Sequence, residues 1–128
     1  VANILLIDDD PLILDLLQDV LTEAGHECVC AGNGVIGFKA LEQSHFDLVV
    51  TDLIMPEAEG LETILKIRKT GSRTPILAIS GGIPGLPANF LPVAARMGAD
   101  RILTKPFEIS EFLRLVAELL ASQRGTAG

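Results

Sequence analysis

A chain of 128 residues that is 48% hydrophobic suffices for one domain with a single good core. No run of about twenty apolar residues occurs, which argues against a membrane-spanning helix, and with no Trp, no Tyr and no basic run interleaved with aromatics the chain lacks the usual means of binding nucleic acid. The net charge of -7 is uneven: residues 1–62 hold thirteen acids and one base, residues 63–128 four acids and nine bases, so an acidic pole suited to cations faces a second surface suited to another partner.

The first apolar run, "NILLI" at 3–7, has strand length and breaks off in Asp8, Asp9 and Asp10. Like charges this close repel by roughly 4 kcal/mol at an effective dielectric near 20, so the pattern calls for a cation. Helical spacing follows from residue 11, with Ile13, Leu17, Val20, Leu21 and Ala24 on one face, Asp10 as cap, Pro11 at the first helical position and Gly25 as stop. "CVCA" at 28–31 reads as a second strand. Its cysteines share a face and lie too close for ordinary disulfide geometry, so Cys28 and Cys30 are expected as packed thiols in a reducing compartment. His26 and His45 fall in predicted loops without ligand spacing around them and are expected at the surface.

Three more strands are predicted at "DLVVT" (47–51), "PILAIS" (75–80) and "RILT" (101–104). Helical spacing recurs at about 34–44, 60–70, 90–97 and 108–122, the last with Ile109, Phe112, Leu113, Val116 and Leu120 as its stripe. Five strands alternating with five helices, the strands apolar throughout, predict an α/β fold: a doubly wound parallel sheet covered on both faces, in three α/β/α layers. Chemistry in such sheets gathers at the carboxyl ends of the strands. There the sequence places Asp8 and Asp9 after strand one, Asp52 after strand three, Ser80 at the end of strand four and Lys105 after strand five.

Asp8-Asp9, "TDLIMP", "AISG" and "TKPF", in this order across nearly the whole chain, resemble the CheY-like receiver domain of two-component response regulators. The resemblance implies a flavodoxin-like strand order 2-1-3-4-5, a receiver unit over 1–122 and a tail over 123–128. It also implies that Asp9, Asp52 and the backbone carbonyl of Ile54 hold Mg²⁺, or Mn²⁺ in its place, with Asp8 acting through water. Asp52 would then be the phosphoacceptor, with Lys105 and Ser80 contacting the phosphoryl oxygens. The chemistry fits: Mg²⁺ takes carboxylates, waters and phosphate oxygens, and a carboxylate attacks phosphorus when charge on the equatorial oxygens is neutralised. Lysine suits a compact phosphate contact, and Lys105-Pro106 is a candidate cis peptide aiming it inward.

By the same resemblance the donor is a histidine kinase or histidine phosphotransfer protein. The chain is expected to be a cytoplasmic switch that catalyses its own phosphorylation and dephosphorylation, not an enzyme acting on metabolites. "ASQRGTAG" reads as a fraying tail with no effector domain after it. Output is therefore expected through a noncovalent contact on the fourth helix, fifth strand and fifth helix, where Arg96, Arg101 and Arg114 lie, without direct binding to nucleic acid or membrane.

Two rival readings compete. "AGNGVIG" carries Gly32-x-Gly34-x-x-Gly37, a dinucleotide fingerprint in outline. It follows the second strand, however, in a chain too short for the two-halved fold, and three acids after strand one would repel an FMN phosphate. A small phosphatase resembling the haloacid dehalogenases would use Asp8 as nucleophile with Asp10 beside it, but that leaves Asp52 without purpose.

Several positions depart from the receiver pattern. Ile102 stands where that family usually has an aromatic residue, Ala58 and Glu59 replace a common Met-Asp, and the Ile54 side chain cannot direct a water. The Gly- and Pro-rich "GGIPGLPANFLP" is longer than expected and forbids helix before about residue 89, with Asn89 as the cap of a short helix. This loop, over 81–92, is expected either to rearrange on phosphorylation in place of an aromatic side chain or to be a surface insertion with no role.

Overall fold

The computed structural model describes residues 2–52, 59–80 and 98–127. Five strands, β1 (Asn3–Ile7), β2 (Glu27–Ala31), β3 (Leu48–Asp52), β4 (Ile76–Ser80) and β5 (Arg101–Thr104), form one parallel sheet in the order β2-β1-β3-β4-β5. The helices among the described residues are α1 (Pro11–Glu23), α2 (Gly34–Gln43), α3 (Glu59–Lys69) and α4 (Ile109–Ala127). The helix expected at 90–97, its cap Asn89, the loop at 81–92, and Ile54, Ala58 and Arg96 lie outside the described residues.

Successive strand residues point to opposite faces, and here both faces are buried, which is why the strands read as unbroken apolar runs. Ile4, Leu6, Leu48, Val50, Leu77, Ile79 and Leu103 meet Leu17 and Leu21 of α1 and Phe112, Leu115 and Val116 of α4. Leu5, Ile7, Val49, Ile76 and Ala78 form the second core with Ile64 and Ile67 of α3. Among the described residues no helix is long and apolar enough to cross a membrane.

Helix α1 begins as expected: the Asp10 carboxylate accepts from Leu12 N at 3.0 Å, Pro11 opens the helix, and Gly25 closes it at φ +95°. Ala24, expected on the buried face, is exposed, because burial centres on Leu17 and Leu21 and leaves Ile13 and Val20 at its margins. The buried stripe of α4 is also turned: Leu115 and Leu119 join Phe112, Val116 and Leu120, while Ile109 and Leu113 are half-buried. Both sets have helical spacing, and contact with the sheet selects between them. The helix also continues to Ala127, past the boundary expected at 122.

Gly37 lets α2 lie close against β1, where a Cβ would stand 2.5 Å from Ile7 Cδ1. Cys28 and Cys30 are free thiols packed against the first core, and burial pushes Cys28 up to about 11 and raises Cys30. His45 is exposed and lies 3.4 Å from Asp47. His26, in contrast to expectation, is half-buried: its Nδ1 accepts from Ala2 N at 3.3 Å, tying the start of β1 to the turn before β2.

Candidate functional site

The register of β1 on β3 pairs Ile7 with Thr51, so the next residue of each strand, Asp8 and Asp52, emerges at the same level of the sheet. This is the point where strand order reverses and a crevice opens. Asp8 N donates to Ala31 O at 3.1 Å, and Asp8 Oδ1 accepts from Asp10 N at 2.9 Å, which fixes the turn after β1. Asp8 and Asp52 are only 3% and 6% exposed, whereas Asp9 stands in the open. Each of the three offers a carboxylate oxygen, and these oxygens lie within 4.8 Å of one another.

Positive charge arrives from the far side. Thr104 pairs with Ser80, and Lys105 N donates to Ser80 O at 2.8 Å, so the lysine leaves the sheet beside the end of β4. The Lys105-Pro106 peptide is cis, as expected. The ammonium reaches Asp52, with Nζ 3.4 Å from Oδ2. Ser80 is buried at the end of β4, one position beyond Ile79, which pairs with Asp52. The structure thus gathers Asp8, Asp9, Asp52 and Lys105 and ends the neighbouring strand in Ser80.

Burial pushes the Asp8 carboxyl from its ordinary 3.8 up to about 6; the Asp10 N–H opposes this, the Asp52 charge adds to it, Lys105 opposes it and Asp9 adds to it. Close-set hard oxygens of this kind form a donor set suited to Mg²⁺, which one or two carboxylates hold while waters and phosphate oxygens fill the other positions.

Neither rival fits this geometry. Asp10 is exposed and occupied in capping α1, so it is no second member of an Asp8 pair. In the glycine segment Asn33 caps α2 by accepting from Ile36 N at 2.9 Å, and Gly37 is spent on packing against Ile7. Beside Lys105 a mainly apolar groove of about 400 Å³ is lined by Ile13, Leu16, Pro106, Phe107 and Ile109. Sequence reasoning did not single out this feature; its signal was Leu16 on the outward side of α1, 48% exposed.

A doubly wound sheet with three carboxylates and a lysine at its switch point defines the receiver class of α/β proteins. Residues 4–117 match the family model described as the response regulator receiver domain, and the chain belongs to that family. A probable transcriptional regulatory protein of Picosynechococcus is 32% identical over 130 residues, covering 96% of this chain and 51% of that protein. A CheY-like receiver domain protein of Methanospirillum hungatei superposes with a TM-score of 0.89 at 26% identity, over 98% of both chains. The response regulator TrrA of Thermotoga maritima, solved in complex with Mg²⁺-BeF, superposes with a TM-score of 0.80 at 30% identity, over 93% of this chain and 99% of that one. The chain spans between about a quarter and about half the length of the curated regulators it matches.

Proposed function

We propose that Asp52 is the phosphoacceptor of this receiver domain. The observation that carries this reading is the convergence of Asp8, Asp9 and Asp52 within 4.8 Å, with the Lys105 ammonium on Asp52. An Asp52 carboxylate oxygen bonds to phosphorus while the P–N bond to the donor's histidine breaks, and the departing imidazole takes the bonding electrons and a proton. Lys105 contacts an equatorial phosphoryl oxygen and the Ser80 hydroxyl donates to another. Asp9 and Asp52, with Asp8 through water and, as the resemblance implies, the carbonyl of Ile54, which lies outside the described residues, would hold Mg²⁺, or Mn²⁺ in its place, and the ion would supply positive charge against the phosphoryl oxygens.

The donor is a histidine kinase or histidine phosphotransfer protein. The receiver, over 1–122, provides the groups for its own phosphorylation and dephosphorylation and transforms no metabolite. It acts in the cytoplasm by switching a protein-binding surface formed by β5 and α4. On that surface Arg101 and Arg114 both bond to Glu118, at 2.8 and 2.9 Å. Calorimetry with beryllofluoride tests the reading: uptake is expected only with Mg²⁺ present and is lost in Asp52→Asn, whereas uptake by that variant would overturn it.

A further inference from the structure

At the end of the sheet opposite the site, one side chain spends all its donors on holding strands together. Arg68, near the end of α3, donates from Nε and Nη2 to Gly98 O at 3.0 and 2.9 Å, from Nη1 to Ser72 O and Thr74 O at 3.0 and 2.8 Å, and from Nη2 to Asp100 Oδ2 at 2.8 Å. Five N–H groups meet four acceptors in a planar fork that lysine cannot reproduce. Asp100 passes the restraint on: its Oδ2 accepts from Ile76 N at 2.8 Å and its own N donates to Ile76 O at 2.9 Å. Gly98, at φ +125°, is shaped to this clamp, since a Cβ there would stand 2.5 Å from Arg68 Cγ.

Strand β5 needs such a restraint. It is an edge strand and has four residues, with Arg101 and Thr104 exposed, Leu103 buried in the first core and Ile102 half-buried against the second. A one-residue slip turns every side chain to the other face and here only exchanges the faces of Ile102 and Leu103, so that each core still receives an apolar residue and hydrophobic pattern specifies the register weakly. The same slip would move Lys105 by about 3.3 Å along the sheet.

We propose that the Arg68–Asp100 clamp is a positioning device for Lys105: by fixing the register where β5 begins, it holds the ammonium beside Asp52 where β5 ends. The inference rests on Lys105 contacting the phosphoryl group, and it makes Arg68 a positioning residue that touches no reacting atom.

The test is calorimetric binding of Mg²⁺ and of beryllofluoride with Mg²⁺ to Arg68→Lys, in the wild-type and in the Lys105→Ala background. Beryllofluoride affinity should fall about tenfold with Lys105 present, as a misplaced contact group costs. Mg²⁺ affinity should stay within about twofold, and in Lys105→Ala the Arg68 change should cost less than about twofold, since the residue it acts through is gone. An unchanged beryllofluoride affinity, an equal loss in both backgrounds, or an equal loss of Mg²⁺ affinity would overturn the proposal. If Arg68→Lys does not fold, Asp100→Asn carries the same comparison, and failure of both to fold overturns it too, because the clamp then holds the whole fold. Absence of beryllofluoride uptake by the wild type would instead remove the phosphoacceptor reading itself.

Discussion

Lys105 and Asp52, 53 positions apart in the chain, meet at 3.4 Å although β4 separates the strands that carry them. The lysine reaches across the end of β4, where its own backbone N–H is bonded to Ser80 O. One ammonium therefore faces three clustered carboxylates, an imbalance that a divalent cation corrects and an arriving phosphoryl group restores.

Replacing Lys105 by Ala separates these two uses of charge. Beryllofluoride affinity should fall by about 10- to 100-fold, the worth of one charge-assisted hydrogen bond. Mg²⁺ affinity should hold or rise, because a competing cation has left. Calorimetric titration of both ligands checks this, and a parallel loss of both would mean that Lys105 only props the loop.

Asp8 should leave a pH signature. Its carboxyl stands at about 6 in the folded chain against an ordinary 3.8, so between these values the native state keeps a proton that the unfolded chain has released. The contribution to stability is complete below 3.8 and is lost as pH rises through about 6. In metal-free protein the thermal midpoint of the wild type, measured against Asp8→Asn, should fall across that window, leaving the variant higher by about 5 °C at pH 7. A constant difference from pH 4 to pH 7 would contradict the burial argument.

The same titration opposes the metal. An Asp8 that must lose a proton before the site is fully charged weakens Mg²⁺ binding by up to about tenfold per pH unit below its midpoint. At pH 7 the ion should raise stability by about 2.7 kcal/mol at a free concentration of about a hundred times Kd, since only the native state brings the carboxylates together. Thermal scans with and without Mg²⁺ should show this rise in the wild type and lose most of it in Asp9→Asn.

Gly37→Ala should destabilise the fold by about 1–3 kcal/mol, the usual cost of overpacking, because the added carbon meets a fully buried Ile7 that cannot yield. Denaturant unfolding measures it. A stabilised variant would mean that helix propensity outweighs the packing contact.

Strand ends were legible in the sequence wherever an apolar run stopped in a charged or hydroxyl residue: Asp8, Asp52, Ser80 and Lys105 all occupy the sheet edge assigned to them. Parallel pairing then did the rest, because the register carries Asp8 alongside Asp52 once Ile7 faces Thr51. Helix faces were less legible. In α4 two stripes share helical spacing, and only packing on Leu103 and its neighbours selects Leu115 over Leu113. The Arg68 clamp was invisible because its acceptors are mostly backbone carbonyls, which any residue provides, and its partner Asp100 lies 32 positions away. His26 was misplaced for a related reason: its bond to Ala2 N depends on strand pairing that no local pattern announces.

The most direct test is to locate the phosphoryl group. After incubation with a small acyl phosphate and Mg²⁺, mass spectrometric mapping should find it on Asp52 alone, with no label on Asp52→Asn. Label on Asp8 or Asp9 in the wild type, or unchanged labelling of Asp52→Asn, would contradict the account.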